Sequence, residues 1–192
     1  DHNSEGLTSL AAAAKKVGAE RFVLDDGWFK GRRDDRAGLG DWTVDKDIYP
    51  NGLEPLAQTL KQNDLEFGLW FEPEMINEQS DLFKEHPEWV LNIDKRHQST
   101  GRNQWVLDLS NPKVCQYLFD SIDAILVQYP VRYIKWDMNR DLLQAGDLGG
   151  KASYAKFVRQ LYRLLGDIRQ KHPLVEIESC SSGGGRMDYG IL

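Results

Sequence analysis

Cysteine, excess positive charge and long apolar runs are all scarce in this sequence of 192 residues. Only two cysteines occur, Cys115 and Cys180, and they form no Cys-x-x-Cys pair. This argues against a disulfide framework or a structural zinc site, and it fits a cytoplasmic protein. The 24 basic residues are outnumbered by 30 acidic ones, so we expect no nucleic-acid partner. No apolar run approaches the ~20 residues of a membrane-spanning helix, so we expect no membrane partner either.

Histidine and glycine motifs give no sign of metal or nucleotide chemistry. The four histidines, which include His2 and His97, are isolated from one another, so no histidine-based metal site is predicted. The triplet Gly183-Gly184-Gly185 matches neither the P-loop nor the dinucleotide-binding pattern. We interpret it as a loop in which the backbone approaches a ligand closely, with an ordinary turn as the alternative.

Apolar residues alternate along the chain between helical spacing and short continuous runs. The short runs predict five strands, at residues 21–27, 67–72, 105–109, 131–137 and 175–180. Strands that alternate with helices form parallel sheets, and about 30 residues per unit is typical of a (β/α)8 barrel. We therefore predict an α/β fold, a partial (β/α)8 TIM barrel with about five strands of eight. A doubly wound open sheet is the alternative.

Every predicted strand ends in ionisable side chains. In such barrels the functional residues lie at the carboxyl ends of the strands. Packing alone explains this poorly, because a carboxylate that faces a cavity is costly unless it is paired or used. Ordinary polarity of strand ends at solvent is the alternative. The residues concerned are Asp25, Asp26, Glu72, Glu74, Asp108, Lys135, Asp137, Glu178 and Cys180.

The segment at residues 133–140 carries the densest chemical signal. Residues i and i+2 of a strand point to the same face, so we predict that Lys135 and Asp137 share a side. A nearby cation lowers the pKa of a carboxyl group, and an ionised, positioned aspartate is a good covalent nucleophile. A structural ion pair is the alternative interpretation of the same two residues.

Tryptophan is frequent beside these strand ends. Flat aromatic faces pack well on sugar rings, so the group favours a sugar site, although core packing is the commoner fate of any single tryptophan. The four tryptophans concerned are Trp28, Trp42, Trp70 and Trp136. The strand ends also leave open a magnesium site made of carboxylates, the ligands that this ion prefers. Its ligands would be Asp25, Glu72, Asp108 and Glu178.

Six blocks of sequence occur together in one order, at residues 22–28, 39–42, 67–75, 103–110, 135–140 and 180–186. The Lys-Trp-Asp-Met-Asn-Arg hexapeptide at 135–140 and the Cys-x-x-Gly-x-x-Arg pattern at 180–186 are specific in combination. On these motifs the chain resembles the α-galactosidases of glycoside hydrolase family 36, over nearly its whole length. The resemblance implies retaining hydrolysis of terminal α-linked galactose from oligosaccharides of the melibiose and raffinose type. It implies no metal or organic cofactor.

The resemblance also implies roles for individual residues. Asp137 falls on the family's nucleophile, and Asp25 and Asp26 fall on acids that grip galactose hydroxyls. Further sugar contacts and pocket-lining positions fall on Trp70, Arg102, Lys135, Cys180 and Gly183. The full-length protein is expected to form homo-oligomers, because tetramers are common among the bacterial members.

One departure from the family pattern concerns the second catalytic carboxyl group. The family's general acid/base is an aspartate on the strand after the 180–186 loop, and the sequence stops at Leu192 before that motif. We therefore expect residues 1–192 to form a single incomplete catalytic barrel domain, inactive or nearly so on its own. It would lack the first strand, the last strands and the flanking β-domains of the family. Three alternatives remain open: a non-catalytic galactoside-binding module, a magnesium-dependent barrel enzyme, and an enzyme for α-linked N-acetylgalactosamine.

Overall fold

A computed structural model of the chain describes residues 4–92, 100–143, 145–146 and 151–191. His2, His97 and Leu192 lie outside the described residues. No helix within those ranges is long and apolar enough to cross a lipid bilayer. In chain order the elements are α1 (Ser4–Lys16), β1 (Arg21–Leu24), α2 (Glu54–Gln62), β2 (Glu66–Phe71), β3 (Met75–Ile76), α3 (Asp81–Glu85), a 3-10 turn (Pro87–Trp89), β4 (Trp105–Val106), α4 (Pro112–Gln128), β5 (Val131–Trp136), α5 (Tyr154–Lys171) and β6 (Glu176–Ser179).

The main sheet of the described chain has four parallel strands in the order β1-β2-β5-β6. Its register pairs Trp70 with Lys135, and Lys135 with Glu178. Parallel neighbours need a crossover connection, and α2, α4 and α5 supply the three that this order requires. The prediction of an α/β fold built from strand–helix–strand units is confirmed.

One predicted strand does not belong to this sheet. The apolar run at 105–109 forms only the two-residue strand β4, which pairs antiparallel with β3 in a separate ribbon. Leu107 continues from it, and its N–H donates to the carbonyl of Glu74 at 2.9 Å. The run is apolar because the ribbon packs over the core, and periodicity alone does not separate such a run from a sheet strand. The predicted count of five strands is therefore corrected to four in the described part of the main sheet.

The helix ends follow local sequence signals. Asn111 caps α4, because its Oδ1 accepts from the N–H of Lys113 at 3.0 Å, and Pro112 occupies the first turn. Helix α3 ends before Pro87, which opens the 3-10 turn, because proline cannot continue a helix. These caps determine where each helix starts on the sheet.

The two faces of the main sheet differ in character. Successive strand residues point to opposite faces, so one face is apolar and the other carries ionisable groups. The apolar face is buried and includes Leu24, Leu69, Phe71, Ile134 and Trp136. The opposite face ends, at the carboxyl side, in the polar residues that the next section describes.

An aromatic cluster closes the space beyond the ends of β1 and β2. The ring centroids of Phe29 and Trp42 are 4.7 Å apart, and those of Trp28 and Phe71 are 5.2 Å apart. Trp28 is 0% exposed, and Trp42 and Trp136 are each 1% exposed. The idea that these three rings form a platform for a sugar is corrected, because core packing already covers their faces.

Candidate active site

An ion pair joins the ends of β1 and β5. The Lys135 ammonium group donates to Oδ2 of Asp25 at 2.8 Å, and this hydrogen bond raises the pKa of Lys135. The N–H of Asp26 donates to the other carboxyl oxygen of Asp25 at 2.8 Å. Over half of the Asp25 side chain is exposed, so this pair faces open space at the strand ends.

Asp137 lies just past β5, and neutral donors surround its carboxyl group. Its Oδ2 accepts from Nδ2 of Asn139 at 2.7 Å and from Nε1 of Trp70 at 3.1 Å, and its Oδ1 accepts from the N–H of Met138 at 2.9 Å. The thiol of Cys180 also hydrogen-bonds to it. These four donors converge on one carboxyl group that is 7% exposed.

The electrostatic state of Asp137 follows from those donors. Burial alone would raise the pKa of Asp137, but the hydrogen bonds from Cys180, Asn139 and Trp70 outweigh it and hold the pKa below its ordinary value. We predicted that Lys135 keeps this group ionised. Lys135 forms its direct ion pair with Asp25, so it acts on Asp137 through space, and the hydrogen-bond donors are the larger cause. The lowered pKa agrees with the prediction that Asp137 is ionised.

Asp26 is held in place by a buried guanidinium group. Nε and Nη2 of Arg32 donate to Oδ1 and Oδ2 of Asp26 at 2.8 and 2.7 Å, a bidentate arrangement. Nη1 of Arg32 donates to the carbonyl of Ala37 at 3.0 Å. The Arg32 side chain is 7% exposed, whereas that of Asp26 is 40% exposed. Sequence reasoning missed Arg32, because nothing distinguishes it from the neighbouring charged residues.

Arg102 occupies a strained two-residue turn. The N–H of Gln104 donates to the carbonyl of Gly101 at 3.0 Å, and the two central residues, Arg102 and Asn103, have φ values of +53° and +60°. Positive φ at both central positions favours glycine or asparagine, so Asn103 suits its position, whereas Arg102 is strained at a cost of about 1–3 kcal/mol. The Arg102 side chain is exposed, and its charge acts on Glu72.

The loop at 180–186 borders the site at Asp137 and Asn139. Gly183 has φ +93°, and nothing lies within 4 Å of a Cβ placed there, so the requirement for glycine is conformational. Ser182 donates to Oδ1 of Asn139 at 3.1 Å, which ties the loop to the turn after β5. Cys180 is buried, and burial together with the bond to Asp137 raises the pKa of its thiol.

A buried ion pair anchors the same loop. Nη1 of Arg186 donates to Oε1 of Glu74 at 2.5 Å, and the Glu74 side chain is 0% exposed. The indole of Trp136 donates to the same oxygen at 2.9 Å, and Nη2 of Arg186 donates to the carbonyl of Cys180 at 3.3 Å. Glu74 therefore positions Arg186, which holds the backbone of the loop at Cys180. The position of Glu74 at a predicted strand end did not indicate this role.

The carboxylates proposed as magnesium ligands do not converge. Within the part of the chain that the structure describes, no group of three or more His, Cys, Asp or Glu side chains is placed to hold a metal ion. Glu178 accepts from the hydroxyl of Tyr133 at 2.5 Å, and Asp108 accepts from the N–H of Ser110 at 2.9 Å. The magnesium alternative therefore loses its ligand set.

Six of the eight predicted site residues are linked by these contacts. Asp25, Asp26 and Lys135 form one connected group, and Trp70, Cys180 and Asp137 form the other. Arg102 and Gly183 lie on the two loops beside them. Trp70 is 2% exposed, so its contact with a sugar stays a prediction, while its hydrogen bond to Asp137 is a feature of this structure.

Comparison with known proteins identifies the family. The family model described as melibiase matches residues 1–192. The chain belongs to the melibiase family. An α-galactosidase of Escherichia coli is 50% identical over 192 residues, which are 100% of this chain and 27% of that protein. The α-galactosidase AgaA of Geobacillus stearothermophilus is 43% identical over 197 residues, with coverage of 100% and 27%.

Solved structures of the melibiase family share the fold. AgaB of Geobacillus stearothermophilus, described as a GH36 α-galactosidase, matches with a TM-score of 0.95 at 43% identity, over 100% of this chain and 27% of that chain. A variant of AgaA in complex with stachyose matches with a TM-score of 0.93 at 42% identity, with the same coverage. The resemblance to glycoside hydrolase family 36 is confirmed. The chain spans 27% of the length of these relatives, so its sheet corresponds to part of their structure.

Proposed function

We propose that this chain carries the nucleophile and the galactose-binding part of a retaining α-galactosidase, which releases terminal α-linked galactose from oligosaccharides of the melibiose and raffinose type. The observation that carries the proposal is the Asp137 carboxyl group, which neutral donors keep ionised while no cation neutralises it by a direct bond among the described residues. AgaA variants are described in complex with raffinose and with stachyose, which supports an oligosaccharide substrate.

The chemistry requires two carboxyl groups with different roles. Asp137 would attack the anomeric carbon, the bond to the leaving oxygen would break, and a galactosyl ester of Asp137 would form. An acid would protonate the leaving oxygen, and its conjugate base would then activate the water that hydrolyses the ester. The resemblance assigns that acid/base to an aspartate beyond the 180–186 loop, outside these 192 residues. We propose accordingly that residues 1–192 are one incomplete catalytic domain that does not turn over alone.

The remaining site residues would bind the sugar. We assign Asp25, Asp26 and Lys135 to galactose hydroxyls, since their polar atoms are partly exposed beside Asp137. Further contacts are assigned to Trp70, Arg102, Cys180 and Gly183. A site whose polar groups are matched to one set of hydroxyls rejects sugars that lack them, because those groups would then stay unpaired.

Hydrolysis of an aryl α-galactoside tests the proposal. The protein used is the full reading frame that contains this chain, as wild type and as Asp137→Asn. We expect Asp137→Asn to lower kcat by at least about 1,000-fold. Asp120→Asn is the matched control, because it makes the same change on the exposed surface of α4 and should leave the rate unaltered.

Three other outcomes would replace the proposal. Galactose binding without turnover in the folded protein would identify a binding module. Loss of activity on chelation would revive a metal-dependent enzyme. Faster hydrolysis of an aryl α-N-acetylgalactosaminide than of the galactoside would change the substrate.

We also propose a cytoplasmic location and a homo-oligomeric full-length protein. The location is supported by the two free thiols, Cys115 and Cys180, because a reducing compartment keeps cysteines unpaired. Cell fractionation tests it. Homo-oligomer formation is a prediction from the family resemblance, and light scattering of the full-length protein checks it.

A further inference from the structure

A buried carboxyl group with no role in the proposed chemistry lies next to Asp137. Glu72 directly follows β2 and is 1% exposed. Among the described residues its hydrogen bonds come from two neutral donors, the N–H of Asn139 at 2.5 Å and Nε2 of Gln104 at 3.0 Å. A buried carboxylate without an opposite charge bonded to it is costly, so packing alone does not account for glutamate at this position.

The first of these bonds connects Glu72 to the nucleophile. Oε1 of Glu72 accepts from the backbone of Asn139, and the side chain of Asn139 donates to Oδ2 of Asp137 at 2.7 Å. Oδ1 of Asn139 accepts from Ser182 at 3.1 Å, so the amide is oriented from both ends. Glu72 thus fixes the backbone of the residue whose side chain holds Asp137.

The second bond connects Glu72 to a predicted sugar contact. Gln104 closes the strained turn whose central residues are Arg102 and Asn103. Oε2 of Glu72 accepts from the Gln104 side chain, so the carboxyl group holds this turn against the end of β2. A strained turn persists only where its surroundings determine it, and Glu72 supplies part of that restraint.

The geometry points to Glu72 as a positioning residue, which orients the Asp137 carboxylate through Asn139 and places the Arg102 turn through Gln104. The inference rests on the proposed function, because it assigns Glu72 a part in the same reaction. Glu72 does not touch the reacting atoms in this assignment.

The charge state of Glu72 gives the role a measurable signature. Burial raises the pKa of Glu72 to about 7; the Asn139 hydrogen bond lowers it, and the charge of Asp137 raises it. The other charged groups that act on it, Arg102 and Arg32, lower it. Glu72 therefore changes charge near neutral pH, in the range where activity is measured.

Gln104 accommodates both charge states. Its Oε1 is buried and has no hydrogen-bond partner among the described residues. Rotation of this amide by 180° would let it accept from protonated Glu72, where it now donates to the ionised group, and the two amide orientations are exchangeable assignments. Glutamine at position 72 would therefore imitate the protonated form without removing either contact.

The experiment compares Glu72→Gln and Glu72→Ala in the full reading frame, with pH profiles of kcat/KM on an aryl α-galactoside. We expect Glu72→Ala to lower kcat about 100-fold, the effect of misplacing a reacting group by about 1 Å, with a smaller change in KM. Glu72→Gln should hold kcat/KM at the level that wild type reaches with Glu72 protonated, on the acid side of pH 7, and lose the ionisation near pH 7 that wild type shows. Glu66→Gln, at the exposed start of the same strand, is the matched control.

Coupling to Asn139 separates positioning from a general loss of stability. If Glu72 acts through Asn139, the double variant Glu72→Ala/Asn139→Ala will lose far less kcat than the two single effects predict when they are combined.

Unchanged kcat in Glu72→Ala, or a Glu72→Gln profile identical to wild type, overturns the inference. If Glu72→Ala does not fold, the Glu72→Gln profile still decides. An inactive wild type, or an Asp137→Asn variant as active as wild type, overturns the proposed function itself. The inference about Glu72 is then overturned with it, because it rests on that function.

Discussion

Lys135 and Asp25 form a direct ion pair across the ends of β5 and β1, with 2.8 Å between Nζ and Oδ2. The sequence analysis assigned two roles to Lys135, binding the sugar and keeping Asp137 ionised. The ion pair with Asp25 separates these roles. The cation bonds directly to the partly exposed carboxyl group that we propose to bind the sugar, whereas uncharged donors bond directly to Asp137. Substrate affinity and ionisation of the nucleophile should therefore respond to different substitutions.

We expect Lys135→Met to raise KM and to move the acidic limb of the kcat/KM profile less than the loss of a direct donor to Asp137 does, because Lys135 acts on Asp137 only through space. Cys180→Ala should move that limb further, because it removes a donor that favours the ionised form of Asp137. The pKa of Asp137 then rises, so acidification removes activity at a higher pH than in wild type. Profiles of kcat/KM between pH 3 and about 7 check this. An acidic limb that moves in Lys135→Met and stays in Cys180→Ala would restore the original assignment.

The bidentate contact of Arg32 with Asp26 predicts a specific defect in substrate binding. Lysine retains the charge but has no planar fork, so Arg32→Lys should leave Asp26 free to rotate. We expect KM for an aryl α-galactoside to rise about tenfold, equivalent to ~1.4 kcal/mol, with a smaller change in kcat. Arg36→Lys is the control, because Arg36 pairs with Asp34 in an exposed position. Equal KM values in the two variants would contradict the role of Arg32.

Local sequence patterns predicted the elements better than the contacts between them. The helix ends at Pro87 and Asn111 depend on residues that lie within the ends themselves, so such features are local in the sequence. The strand β5, predicted at 131–137, is found at Val131–Trp136 for the same reason.

The partners in the site depend on long-range approach, which periodicity does not encode. Lys135 reaches Asp25, 110 positions earlier in the chain, in preference to its predicted neighbour Asp137. Glu72 lies 67 positions from Asn139, and the sequence marked it as a strand-end carboxylate and possible metal ligand without indicating this partner. The apolar run at 105–109 satisfied the criteria for a sheet strand, and only tertiary packing placed it in the ribbon with β3.

We expect Asp45 to make the stability of the fold depend on pH. Its side chain is 4% exposed, and hydrogen bonds from Arg33 and from nearby backbone N–H groups lower its pKa to about 2. A carboxyl group with a depressed pKa stabilises the fold above its unfolded pKa, and the stabilisation is lost as pH falls through the folded pKa. We expect Asp45→Asn to cost about 2 kcal/mol at pH 7 and about half of that at pH 3. Denaturant unfolding at both pH values measures it. A cost independent of pH would assign the effect to packing.

We expect the fold to lose much of its stability when one partner of the Glu74–Arg186 pair is removed alone. Arg186→Met would leave the fully buried Glu74 carboxyl group with only the Trp136 indole, and Oε2 of Glu74 already has no partner among the described residues. Breaking a buried pair in this way costs about 3–5 kcal/mol, whereas replacing both partners with apolar residues is often neutral. We therefore expect Arg186→Met to destabilise the protein strongly and the double variant with Glu74→Leu to recover much of that stability.

Activity should not recover with stability in that double variant. Arg186 also holds the carbonyl of Cys180, and therefore the loop that carries Gly183. Without this bond the thiol of Cys180 is no longer fixed against Asp137, so kcat should stay reduced after the fold is restored. Thermal unfolding and kcat measured on wild type, Arg186→Met and the double variant separate the two effects. Recovery of kcat in parallel with stability would mean that the pair serves only the fold, and that the loop finds its place without Arg186.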